Sequence, residues 1–173
     1  MEITRDYLPA VKLPIIAILA LFVILTLLVT SINLFTELET ADPEIYRMLV
    51  GGIYFAFTIS IWEIIIWAGI RTARATQGSL IDGAIGGVVT AVVAGFITRL
   101  ISIVFKISIL PVIASAPEPS SAAAAWIAQI IAISLDVVGL VLWLFVDLVG
   151  GAVLGGVGGL VHKRKLIDQM DRY

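Results

Sequence analysis

Long runs of apolar residues alternate along the chain with short polar segments, and the runs have the length of membrane spans rather than of core helices. A bilayer's hydrocarbon core is about 30 Å thick and takes about 20 residues of helix to cross. The pattern predicts four spanning helices, over residues 14–35, 48–70, 80–110 and 122–161. Pro14 is expected at the start of the first, where the missing N–H of a proline costs nothing. That run is longer than the apolar region of a secretory signal and ends in no small-residue cleavage site, so it reads as a retained helix. Thr26, Thr30 and Asn33 share a face there, either bonded to a neighbouring helix or back-bonded to their own. The fourth run, about 40 residues, makes roughly 60 Å of helix. It therefore either projects well beyond the bilayer or breaks near Asp147 to Gly151.

The expected architecture is all-α: a polytopic helical membrane protein, a single integral membrane domain over residues 1–173, with long third and fourth helices folded into a hairpin. The polar segments orient it. Arg5 and Lys12 precede the first run, Arg71 and Arg74 follow the second, and Lys163, Arg164, Lys165 and Arg172 follow the fourth. The remaining two loops are acidic or neutral, Glu37, Glu39, Asp42 and Glu44 lying in one of them. Because short loops rich in Lys and Arg stay on the cytoplasmic side, both termini are expected there. The expected location is a cell membrane, the plasma membrane of a prokaryote.

Composition agrees with a lipid solvent. The chain is 60% hydrophobic and 14% charged with a mean hydropathy of +1.10, against about 25% charged residues in soluble domains. A net charge of -2 and the lack of a basic patch with interleaved aromatics argue against nucleic acid as a partner. There is no cysteine and a single histidine, His162, so thiolate chemistry and histidine clusters are excluded. No catalytic residue, metal ligand or cofactor site is expected, and the chain is read as non-enzymatic.

What stands out is charge inside the apolar runs. Arg99, Ser102 and Lys106 share one face of the third helix, and Gln129, Asp136, Trp143 and Asp147 share one face of the fourth. In an antiparallel hairpin, residues at equal depth have a constant sum of residue numbers. Arg99 with Asp136 and Lys106 with Gln129 have the same sum, so one register serves both pairs, and its turn falls between Pro117 and Glu118. A charge at the bilayer centre costs about 2.5–3.5 kcal/mol on insertion scales, and an Arg99–Asp136 ion pair offsets part of that cost while fixing register. Lys106 carries its ammonium toward the headgroups on its long stem. The same register sets Asp147 opposite Val88, without a partner.

Glu63 lies inside the second run, on one face with Gly52, Ala56 and Ser60. That face is expected to meet another helix, since small residues permit close approach and lipid rejects the charge. Glu63 and Asp147 are the candidate proton or ion site, two carboxylates at similar depth. Glycine forms the last pattern: Gly83-Ala-Ile-Gly-Gly-Val resembles Gly151-Ala-Val-Leu-Gly-Gly-Val, and Gly83, Gly87, Gly151, Gly155 and Gly159 are small-xxx-small stripes of the glycine-zipper kind, expected to pack helices. No phosphate-loop motif accompanies them. The leading functional expectation is association, as an accessory or scaffold subunit of a larger membrane complex or as a homo-oligomer, with the lipid bilayer and other membrane subunits as partners. The alternative is a small ion- or proton-coupled transporter or channel using the intramembrane carboxylates.

Overall fold

The computed structural model describes residues 4–38, 43–76, 78, 80–114 and 119–170. They form four helices: α1 (Thr4–Leu38), α2 (Pro43–Ala75), α3 (Leu80–Ala114) and α4 (Pro119–Met170). All four are long and apolar enough to cross a membrane, the apolar stretches being Tyr7–Ile32, Glu44–Ala75, Leu80–Phe105 and Trp126–Met170. An α-helix satisfies most of its backbone hydrogen bonds within itself, which suits a spanning segment where water is absent.

The helices are longer at their ends than the apolar pattern predicts. α1 begins at Thr4, so Pro9 and Pro14 both lie inside it, whereas Pro14 was expected at its start. A proline inside a helix leaves the carbonyl four residues earlier without its usual amide. For Pro14 that carbonyl is Ala10's, and the Arg71 side chain of α2 takes the place of the amide, donating from Nε to the Ala10 oxygen at 3.1 Å. The cost of an interior proline is thereby met by a contact between helices. α3 likewise continues past Pro111 to Ala114. α4 is one uninterrupted helix of 52 residues, about 78 Å at 1.5 Å per residue. The break considered near Asp147 does not occur, and the helix extends far beyond the hydrocarbon thickness of about 30 Å.

α3 and α4 form the most extensive pairing, α2 lies against both, and α1 packs on α2 and α3 without touching α4 among the described residues. The core is displaced toward one end of the bundle, which carries the start of α1 and the end of α2. Ala10, Val11, Pro14 and Ile18 of α1 and Ile65, Ala68, Thr72 and Ala73 of α2 are buried there. Ala91 and Ala94 of α3 complete it. At the same end Tyr7 donates a hydrogen bond to Asp82, tying the first turns of α1 and α3 together. The amides of Thr76 and Gly78 close the last turn of α2 on the carbonyls of Thr72 and Ala73. The opposite halves of the helices keep large apolar side chains exposed, among them Val104, Phe105, Leu135, Val141 and Phe145, a surface compatible with lipid contact.

Glycine sets how closely α3 and α4 approach. A Cβ added to Gly87 would lie 2.6 Å from the Gly155 Cα, and one added to Gly83 would lie 2.7 Å from the Gly159 Cα. Gly151 faces Gly87 and Val88, with the Val88 Cα at 2.8 Å from its added Cβ. α2 joins the same seam, because Gly69 meets the Gly155 backbone and Gly158 meets the backbone of Ile66 and Ile70. Gly86 leaves room for the Thr72 side chain, whose hydroxyl bonds back to the Ala68 carbonyl at 2.8 Å. Three backbones thus pass within van der Waals distance at a point where any side chain would separate them. Gly52 is different: it is exposed, and nothing lies within 4 Å of its added Cβ.

Candidate functional site

The glycine seam decides which charges meet. With Gly87 against Gly151 and Gly155, Val88 comes opposite Gly151 and the expected Val88–Asp147 juxtaposition does not form. Asp147 comes beside Gly95 instead, one turn from Arg99, whose long side chain covers the difference. Arg99 donates from Nη1 to Asp147 Oδ2 at 2.5 Å and from Nη2 to Oδ1 at 3.3 Å, a two-pronged ion pair. Asp147, expected to lack a partner, therefore has one. The Asp136, Lys106 and Gln129 side chains, to which the sequence assigned the hairpin's polar pairs, lie outside the described residues.

Two glycines and a tryptophan shape this site. A Cβ on Gly95 would strike the Asp147 carboxylate and come 2.8 Å from Arg99 Nη1, so the pair lies directly over the glycine and a side chain there would make its charged ends shift. Trp143, one turn from Asp147 on α4, presents its ring to Arg99 with the guanidinium carbon 5.5 Å from the centroid. The indole face adds attraction to a cation already bridged to a carboxylate. The pair is neither sealed nor open, with 24% of the Arg99 side chain and 18% of Asp147 accessible. Next to it lies a cavity of about 130 Å³, lined by Arg99, Ser102, Leu135, Gly139 and Trp143. A larger apolar cavity, about 280 Å³, opens between α1, α2 and α3 on the other side of Ser102, with Phe22, Thr26, Tyr54 and Phe105 in its wall. Thr26 is back-bonded to the Phe22 carbonyl at 2.9 Å rather than to another helix.

Glu63 is not part of this site. At about 3.6 residues per turn, it falls on the side of α2 opposite the buried Ile65, Ala68 and Thr72, and it is exposed. It has no hydrogen-bond or ion-pair partner among the described residues. Gly52 and Ala56 on its face are exposed as well, and the Ser60 hydroxyl is bonded to its own helix at the Ala56 carbonyl, 3.0 Å away. Among the described residues, none of the other three helices covers that face. Glu63 and Asp147 thus occupy different surroundings, one unpaired on the outside of α2 and one paired inside the α3–α4 hairpin.

The sequence reading missed Arg71 as the donor to Ala10, because Pro14 stands at the edge of the apolar run, with Arg5, Asp6 and Lys12 before it, and reads as a helix start. It also missed the Trp143 contact, although Trp143 had been placed on the face of Asp147. Thr90, fully buried with no partner for its hydroxyl among the described residues, carried no signal at all. Comparisons with protein families, with curated proteins and with solved structures found no match for this chain.

Proposed function

We propose that the chain is a non-enzymatic membrane protein that acts by association within the bilayer, as a subunit of a larger membrane assembly or a homo-oligomer, through the outward face of α2. One observation carries this reading: Glu63 is exposed and unpaired on the side of α2 that faces away from the bundle, about 12 Å along the helix from Arg71. A carboxylate at that depth facing lipid alone is costly. A second helix meeting the Gly52–Ala56–Ser60 stripe removes the cost, because small residues let backbones approach and bring polar groups within reach of Glu63. Two copies related by a two-fold axis would bring the two stripes together and shield each Glu63 from lipid. In this proposal the end bearing Arg71, Arg74 and Lys163 to Lys165 is cytoplasmic.

The test is the size of the particle in mild detergent. Gly52→Leu and Glu63→Ala, neither of which touches the bundle's own packing, are expected to reduce the particle to a single folded chain. An unchanged size for both variants rejects the reading.

A second reading, a small ion- or proton-coupled transporter, draws on the Arg99–Asp147 pair beside its cavity. Intramembrane ion pairs at cavities are a recurring feature of such pathways. In proteoliposomes, flux abolished by Asp147→Asn in a variant that remains folded supports it, and the lack of any flux in the unaltered protein rejects it.

A further inference from the structure

A separate groove lies where α1 and α2 meet at the basic end of the bundle, about 320 Å³ in volume and lined by Pro9, Ala10, Arg71, Arg74 and Ala75. Two guanidinium groups, one helical turn apart, border it. Neither has a carboxylate partner among the described residues. This contrasts with Arg99, whose charge is met by Asp147.

Arg71 is held in place rather than free. Its Nε–H is committed to the Ala10 carbonyl at 3.1 Å, and its guanidinium carbon lies 5.2 Å from the centroid of the Trp67 ring. Both contacts fix the plane of the group while leaving its two terminal nitrogens, with four N–H donors, unbonded among the described residues. A guanidinium oriented through Nε and a ring face offers those donors as a fork, the geometry that suits a phosphate or carboxylate. Arg74 is exposed at the mouth of the groove and adds a second positive charge. The rest of the lining is Pro9, Ala10 and Ala75, small residues that leave room for a head group and contribute apolar contact below it.

We propose that this groove binds a phosphate group, with Arg71 as the oriented fork and Arg74 as the outer charge. Its position at the boundary of the α2 apolar run admits two sources of the same chemistry: the phosphodiester head group of an anionic lipid, or free phosphate. The proposal is independent of how the outward face of α2 is used.

The experiment uses the full chain purified in a neutral detergent. Native mass spectrometry compares retention of phosphatidylglycerol with that of phosphatidylcholine, and thermal unfolding is followed with and without millimolar inorganic phosphate. For the lipid source, phosphatidylglycerol is retained in preference to phosphatidylcholine, and Arg74→Gln weakens that retention by about fivefold, as loss of one basic residue near an anionic group predicts. Arg71→Lys, which keeps a charge and a donor for Ala10, weakens it further because the fork is lost. For the free source, phosphate raises the melting temperature of the unaltered chain and not that of Arg74→Gln. Lys163→Gln with Arg164→Gln, on the α4 tail, leaves either effect in place. The proposal is overturned if neither probe binds, if both lipids are retained equally while phosphate has no effect, or if binding survives in Arg74→Gln and Arg71→Lys alike.

Discussion

At Arg99 and Asp147 a side chain's effect depends on its partner. An ion pair removed from water gains Coulomb energy and loses hydration, so leaving either charge without its partner costs more than removing both. Asp147→Asn and Arg99→Met are each expected to lower thermal stability in detergent. In the double variant the loss is expected to be smaller than the sum of the two, with a coupling of about 1–3 kcal/mol. Additive losses contradict a direct pair. Arg71 obeys different logic, since its partner is a carbonyl that Pro14 deprives of an amide. Pro14→Ala returns an N–H to that position, so Arg71→Met is expected to cost about 1–3 kcal/mol with Pro14 present and clearly less in the Pro14→Ala background. Unfolding midpoints of the four combinations decide it, and equal losses in both backgrounds break the assigned link.

On the scale of elements, glycines divide into those that hold helices together and those that only weaken a helix. Gly87 and Gly155 face backbone, so Gly87→Ala is expected to destabilise by about 1–3 kcal/mol through overpacking. Nothing lies within 4 Å of an added Cβ on Gly150, so Gly150→Ala is expected to be neutral or to stabilise by up to about 1 kcal/mol through helix propensity. Thermal unfolding should fall for Gly87→Ala and stay level or rise for Gly150→Ala. The same glycines explain what was legible in the sequence. Four apolar runs gave four helices because length and hydropathy in lipid leave no other spanning structure. The hairpin register was misread because polar pairs were used to set it, while the close approach of Gly83 and Gly87 to Gly151, Gly155 and Gly159 actually fixes it. Two similar glycine runs were visible, and aligning them antiparallel sets Asp147 beside Gly95. Helix ends were misjudged for another reason: apolar length marks the lipid-facing part of a helix, whereas α4 continues through the polar sequence His162 to Met170. The Arg71–Ala10 bond joins residues 61 apart in sequence, and no local pattern specifies which helix will bring a donor to a proline's stranded carbonyl.

For the whole molecule, a core displaced toward one end leaves apolar surface exposed on the far halves of the helices and leaves Glu63 on a face of α2 that none of the other described residues covers. The association account stands or falls on that face. Because the chain has no cysteine, a single cysteine placed at Ser60 becomes a unique attachment point for a photoreactive cross-linker in the native membrane, and one placed at Val104, exposed on α3, serves as the comparison. The account predicts a discrete cross-linked protein band from Ser60→Cys, of twice the chain mass or of the chain plus another subunit, that is lost when Glu63→Ala is added and absent from Val104→Cys. Labelling of lipid alone from Ser60→Cys, or the same band from both positions, would contradict it.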